Sequence, residues 1–259
     1  MQYPKENVIV KRSTQPREYL FYTTVAPTLR EADIPIPELK WSGEDAGTFW
    51  LVLEDIPTPL PRARWSADSA VLAVLRRLHQ RVPLDLYPTF PSFEPRWSEA
   101  MTNDALACFL SSQAHRLASI LCELQDRHQA LFLPRCWISG DPNPSNWGLR
   151  SDGTVVLYDW ERFGKGTPAL DLAISVPGLG DMVMFQTVAA RYLEQSHPSA
   201  SGVTSKARLL AGEMAIAKIW SVTEYLSDYR AGTIAPSTRI DDLIQQIPAW
   251  VDRLITEKS

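Results

Sequence analysis

Apolar positions follow two rhythms along this chain. In the first part they form short, mostly unbroken runs; further on they recur every three or four residues. Asn7 to Lys11 (NVIVK) is a β-branched run and predicts a strand. Arg17 to Arg30 carries Leu20, Phe21, Val25 and Leu29 at helical spacing, and Pro27 is expected to break that helix. Pro35 and Pro37 predict an extended connection, and Thr48 to Glu54 (TFWLVLE) predicts the clearest strand of this part. Pro57, Pro59 and Pro61 forbid regular structure and set the expected boundary between a first unit, residues 1–56, and a second, residues 57–259.

Beyond the prolines the pattern turns helical. Ser66 is the expected N-cap of a helix over Ala67 to Gln80, with Val71, Leu72, Leu75 and Leu78 on one side. Pro83 to Trp97 reads as ordered loop. Asn103 is expected to cap one long helix reaching about Arg127, and later helices are expected over Asp181 to Gln195, Ser205 to Tyr229 and Thr238 to Glu257, the last kinked or interrupted at Pro248. Between them, Cys136 to Trp160 is rich in strand formers. There Trp147 to Arg150 and Thr154 to Tyr158 flank Ser151-Asp152-Gly153, a tight-turn signal.

Composition narrows the class. The chain has 259 residues, 45% apolar and 22% charged, which suits a folded domain with a sizeable core. A net charge of -4 argues against a nucleic-acid binder working by blanket phosphate neutralisation. No apolar run reaches about 18 residues, and the N-terminus shows no apolar signal region, so neither a membrane span nor a secretory leader is expected. Cys108, Cys122 and Cys136 form no CxxC pair; they are expected to be small, buried residues, the first two on one face of the long helix, and a reducing, cytoplasmic setting is expected.

The chemistry concentrates in the strand-rich island. Ser139-Gly140-Asp141-Pro142-Asn143-Pro144-Ser145-Asn146 is followed by the hairpin and then Asp159-Trp160-Glu161. Asp141 on a loop can take the proton of a substrate hydroxyl. Asn146 and Asp159 offer oxygen ligands to Mg²⁺, a hard ion that bridges nucleotide phosphates, and the hairpin lets them converge. Gly164-Lys165-Gly166-Thr167 is not a Walker loop: the position six before the Lys is Asp159, and Gly166 follows the Lys. His79 reads as a buried, hydrogen-bonded helix residue.

With these residues the chain resembles the aminoglycoside phosphotransferase and choline kinase group, a protein-kinase-like family whose catalytic loop reads H-G-D-x-x-x-x-N ahead of a D-W-E segment. Gly140, Asp141, Asn146, Asp159, Trp160 and Glu161 match. So do Pro168-Ala169-Leu170-Asp171-Leu172-Ala173 and the Leu75-Arg76-Arg77-Leu78-His79 helix. The resemblance spans about residues 7 to 175 and implies an α+β, two-lobed protein-kinase-like fold, with a reduced N-lobe and a mostly helical C-lobe. It implies an ATP- or GTP-dependent, Mg²⁺-assisted phosphotransferase acting on a small-molecule hydroxyl. It casts Asp141 as catalytic base, Asn146 and Asp159 as metal ligands, and Lys11, oriented by Glu18, as the phosphate grip. Leu51 to Ile56 resembles the hinge, with adenine held by backbone atoms of Glu54 and Ile56. Asp171 is implied to brace the catalytic loop.

Two departures shape further expectations. Ser139 stands where the family has His. Only ten residues precede Lys11, so the strands and phosphate-covering loop that the family places there are not in the sequence. A reduced N-lobe, weak nucleotide binding and a strand edge open to a second copy of the chain are expected, and a pseudokinase that binds without transfer is the rival reading. Acidic Glu194, Glu213, Glu224, Asp228, Asp241 and Asp242 could line a pocket for a cationic acceptor; scattered solvated charges account for them equally well.

Overall fold

The computed structural model describes residues 7–194 and 205–258. The N-terminal lobe is built on an antiparallel sheet of β1 (Val8–Ser13), β2 (Leu39–Asp45) and β3 (Thr48–Glu54), in the order β1-β3-β2. Leu51 and Leu53 of β3 point into the core, while β1 takes the edge and leaves Val8, Ile9 and Val10 half exposed. Its register sets Lys11 opposite Leu51 and Val8 opposite Glu54. Strand β2 has no counterpart in the sequence reading. Its residues are largely exposed and carry Lys40, Gly43, Glu44 and Asp45, so no apolar alternation announces it. What makes the strand is the turn into β3, where Ala46 (φ 46°) and Gly47 (φ 76°) both adopt the left-handed geometry that tight hairpins require.

Pro27 does not break the first helix. The chain runs through α1 (Arg17–Leu20), a wider π-helical segment at Phe21–Val25, and α2 (Ala26–Glu31). The wider segment lets Pro27 fall in the first turn of α2, where its missing N–H is no loss. The Thr23 and Thr24 hydroxyls donate to the carbonyls of Tyr19 (2.8 Å) and Leu20 (2.6 Å).

The triple-proline stretch holds a short strand, β4 (Thr58–Pro59), which pairs antiparallel with Gly148 and Leu149. A proline fits there because β4 is the edge of its sheet. Then α3 (Ser69–Arg81) begins at Asp68, not Ser66; the Asp68 carboxylate accepts from the N–H groups of Ala70 (3.0 Å) and Val71 (3.1 Å). The expected single helix to Arg127 is two: α4 (Glu99–Leu106), capped by Ser98, and α5 (Ser111–Arg127). The break leaves Leu110 exposed and puts Cys108 in the turn, its thiol against the carbonyls of Asp104 and Leu226, so Cys108 and Cys122 do not share a helix face. Nor are all three cysteines buried as expected: Cys136 is, Cys108 is half-buried and Cys122 is exposed.

The remaining strands are β5 (Cys136–Ile138), the hairpin β6 (Trp147–Leu149) and β7 (Val155–Leu157), and β8 (Gly164–Gly166), which pairs with β5. Helices α6 (Pro168–Ser175), α7 (Met182–Glu194), α8 (Ser205–Arg230) and α9 (Thr238–Lys258) complete a mostly helical second lobe. The end of the expected helix at Gln195 lies outside the described residues. Pro248 sits inside α9 without ending it; Ile240, Ile247, Trp250, Val251 and Leu254 hold that helix to the core along its length. No described helix is long and apolar enough to cross a membrane.

An aromatic column ties the lobes together. Phe21 stacks on Trp160 (4.6 Å between centroids), Phe163 packs against both, and Trp137 stacks on Phe163 (4.8 Å). All four side chains are fully buried. Removing a buried aromatic of this size costs about 3–5 kcal/mol. Phe163→Ala should therefore shift the denaturant midpoint by a corresponding amount; a loss near zero would mean that the column does not carry the contact between lobes.

Candidate active site

Strand β5 ends at Ile138 and delivers Ser139-Gly140-Asp141 to the bottom of the cleft between the lobes. Gly140 has φ 80°, and a Cβ on it would lie 2.1 Å from the carbonyl oxygen of Arg162, so no other residue fits without moving backbone. The turn is held by Asp171 of α6: its carboxylate accepts from the N–H of Ser139 (2.8 Å) and of Gly140 (2.9 Å). The same carboxylate meets His79 Nε2 at 3.1 Å, and His79 Nδ1 lies 3.0 Å from the Tyr192 hydroxyl. His79 is thus buried and hydrogen-bonded. Ser139 is fully buried, and its hydroxyl has no partner among the described residues.

Asp141 is half-buried at the start of the loop. Burial pushes its carboxyl above the usual range; the Arg162 guanidinium opposes this, and the charge of Asp159 adds to it. The side-chain N–H of Asn146 donates to the Asp141 carboxylate (3.0 Å) and to its backbone carbonyl (3.0 Å). With its amide nitrogen so occupied, Asn146 is left with Oδ1 as its acceptor atom. The indole N–H of Trp147 donates to the carbonyl of Pro142 (3.1 Å), pinning the loop to the hairpin.

Asp159 follows β7 in the left-handed region, φ 67°, a conformation Asp tolerates better than most residues. Its Oδ1 lies 3.3 Å from Lys11 Nζ, and Lys11 in turn meets the Glu18 carboxylate at 2.6 Å. Burial pulls the Lys11 pKa down, but Glu18 and Asp159 outweigh it and the net direction is upward. For Glu18, burial is the largest influence and leaves its carboxyl above the ordinary range. Glu18 also accepts from the backbone N–H of Trp160 (3.3 Å), so one carboxylate fixes both the Lys and the segment bearing Asp159.

At the opposite wall, the Glu54 carboxylate makes a forked pair with Arg150, at 2.7 and 2.8 Å. That pair holds Glu54 below the usual carboxyl range. The Glu54 N–H donates to the Glu38 carbonyl (2.8 Å). Between the walls is a cavity of about 390 Å³ lined by Lys11, Glu18, Glu54, Ile56, Asn146 and Asp159, among others. Six sequence-derived candidates therefore share one cavity, and the seventh, Asp141, joins them through Asn146. The sequence reading missed Arg150, which locks the hinge to the hairpin. It also missed Tyr22, one turn beyond Glu18, a residue that borders the same cavity; its buried hydroxyl has no partner among the described residues.

Of the acidic residues weighed for a cationic acceptor, Glu224 and Asp228 line a second cavity of about 710 Å³. There Glu224 is paired with Arg162 at 2.5 Å. Glu213 faces Arg135 at 3.9 Å, and Glu194, Asp241 and Asp242 are solvent-exposed.

A lobe of sheet and one helix over a helical lobe, with this loop at the junction, defines a kinase-like phosphotransferase architecture. Residues 3–207 match the phosphotransferase enzyme family, and the chain belongs to it. No curated protein matches the chain. Among solved structures it is similar to a thermostable mutant of aminoglycoside phosphotransferase APH(4)-Ia in ternary complex with ADP and hygromycin B, at 15% identity and a TM-score of 0.61, over 98% of this chain and 88% of that one. An aminoglycoside phosphotransferase from Alicyclobacillus acidocaldarius is similar at 14% identity and a TM-score of 0.62, over 98% and 87%. The type VIII aminoglycoside-3'-phosphotransferase is similar at 21% identity and a TM-score of 0.50, over 84% and 85%.

Because the Gly140 turn leaves no room for a methyl group, Gly140→Ala should lower stability by about 1–3 kcal/mol through backbone strain. Thermal unfolding of the variant checks this; an unchanged Tm would show that the loop can re-route around Arg162.

Proposed function

We propose that this chain transfers the γ-phosphoryl group of ATP or GTP to a hydroxyl of a small molecule. The observation that carries this reading is the single cavity bordered by Lys11, Glu18, the hinge residues Glu54 and Ile56, Asn146 and Asp159, adjoining Asp141. In this reading the Glu54 carbonyl and Ile56 N–H hold the base, and Lys11, oriented by Glu18, holds phosphate oxygens.

Asp141 receives the acceptor hydroxyl. The acceptor oxygen forms a bond to the γ-phosphorus while the bond from that phosphorus to the bridging oxygen breaks. The hydroxyl proton passes to the Asp141 carboxylate, and the nucleoside diphosphate leaves. A carboxyl whose pKa is raised by burial takes that proton more readily than an ordinary one.

The donors present fit Mg²⁺. Among the described residues no three His, Cys, Asp or Glu side chains cluster as a self-sufficient metal cage. Asn146 and Asp159 instead place two oxygen-bearing side chains on the nucleotide cavity, which suits an ion that takes its other ligands from phosphates and water. When bound there, the ion would neutralise phosphate charge.

Two measurements test the reading. Asp141→Asn should lower turnover by about 10²–10⁴ with nucleotide affinity kept, and near-normal turnover would remove Asp141 from the role. Nucleotide affinity, read by calorimetry, should rise with Mg²⁺ in the parent chain and lose that dependence in Asp159→Ala; an affinity indifferent to Mg²⁺ in the parent chain would overturn the metal assignment.

A further inference from the structure

A third cavity, of about 500 Å³, opens on the helical side of the catalytic loop. Its wall includes Asn143, Pro144 and Ser145, two to four residues after Asp141. Three cations line it, Arg62, Lys218 and Arg239, and no carboxylate does. The 710 Å³ cavity differs: there Lys11, Arg12, Arg17 and Arg162 stand against Glu18, Glu161, Glu224 and Asp228. Helix α8 separates the two, presenting Lys218, Ser221, Val222 and Tyr225 to the basic side and Glu224 and Asp228 to the mixed side.

Lys218 is the unusual member. It is buried, yet its ammonium has no carboxylate partner among the described residues. It donates to the carbonyls of Ala173 (3.1 Å) and Val176 (2.7 Å), which leaves its third N–H without an acceptor there. Burial pulls its pKa down to about 8, with the charge of Asp141 opposing, so it still carries its proton at neutral pH. A buried cation held only by neutral carbonyls is incompletely compensated. Arg62 is steadied at the mouth by stacking over Trp65, and Arg239 stands exposed on α9. The hydroxyls of Ser221 and Tyr225 border the same space and can bond a polyol.

We infer that this cavity selects the acceptor, and that the acceptor is an alcohol carrying an anionic group, a carboxylate or a phosphate monoester, held by Lys218, Arg62 and Arg239 while its hydroxyl reaches Asp141. This rests on the proposed phosphotransferase reading for the reaction, but not for the binding. It turns the expectation of a cationic acceptor around: the acidic residues that suggested one are paired, exposed or on the mixed side, and the unpaired charge beside the loop is positive.

The test is a binding measurement that needs no turnover. Calorimetry at low salt would compare gluconate, glucose 6-phosphate, glucose, inorganic phosphate and kanamycin, each with the parent chain and with Arg62→Gln/Arg239→Gln. Both arginines are exposed, so that variant should fold; Lys218→Met is the second variant, keeping the length of the side chain without its charge. Gluconate or glucose 6-phosphate should bind at least ~10-fold tighter than glucose, and each variant should reduce that preference by ~10-fold, the range for a lost charge-assisted hydrogen bond. Preference for gluconate assigns the carboxylate, and preference for glucose 6-phosphate the phosphate ester. Glucose or kanamycin binding as tightly as either anion would overturn the inference. So would inorganic phosphate matching glucose 6-phosphate, which would mark a bare anion site, or a preference unmoved in Arg62→Gln/Arg239→Gln. If the anion preference holds while no acceptor is phosphorylated, the reaction fails and this inference stands; transfer to a neutral or cationic acceptor does the reverse.

Discussion

A single buried carboxylate sets the geometry of this protein. Asp171 has no exposed surface, so its oxygens must be satisfied from within. Two backbone N–H groups, of Ser139 and Gly140, and the ring of His79 do that. To aim consecutive N–H groups at one side chain the chain adopts φ 80° at Gly140, and this turn faces Asp141 into the cleft. His79 comes from α3, Asp171 from α6 and Tyr192 from α7, so the loop is tied to three helices of the lobe. The position of the proposed base is thus a property of the core.

The lobes are joined on two sides by different forces. At the back, Glu18 accepts from Lys11 and from the backbone of Trp160, while Phe21 of the same helical stretch stacks on the Trp160 ring. One turn of chain therefore couples Lys11 to the segment bearing Asp159 through charge and through apolar burial together. At the front, Glu54 of β3 is forked onto Arg150 of the hairpin, and Arg150 also donates to the Ile36 carbonyl (3.1 Å). A forked pair fixes orientation as well as distance. The cavity between these ties keeps its width because both walls are anchored to the same hairpin and its exit.

The convergence of the candidate residues was legible in the sequence where they lie at short spacing. Asp141, Asn146 and Asp159 are separated by a loop and a two-stranded hairpin, and local chain geometry brings them together. Lys11 and Glu18 were legible because a strand and the next helix are neighbours. Much of the remaining structure depends on partners remote in sequence. Arg150 finds Glu54 across 96 residues, and β8 pairs with β5 across the catalytic loop and hairpin. Strand β2 was hidden because it buries little and so shows no alternation. The break between α4 and α5 was hidden because the helical spacing of apolar residues continues through it. Ser66 and Asp68 are both residue types that cap helices; the chain uses Asp68, whose carboxylate accepts from Ala70 and Val71 and also meets the Arg64 guanidinium at 2.6 Å.

Helix α8 explains why the proposed acceptor side was least legible. Twelve of its residues are buried, including Ala211, Gly212, Ile216, Ile219, Trp220 and Leu226, and they surround the helix instead of forming one stripe. An amphipathic helix displays its polar face in its sequence, but a helix covered on several sides has no polar face for periodicity to reveal. The informative positions there are the polar residues that burial should have excluded. Thr223 satisfies itself on the Ile219 carbonyl (2.9 Å), and Glu224 is neutralised by Arg162. Lys218, a buried cation, hydrogen-bonds only to neutral carbonyls, with the Asp141 carboxylate acting on it from a distance. On a central helix, incomplete compensation of this kind marks where a ligand's charge would complete the structure, and it becomes visible only when the neighbours are known.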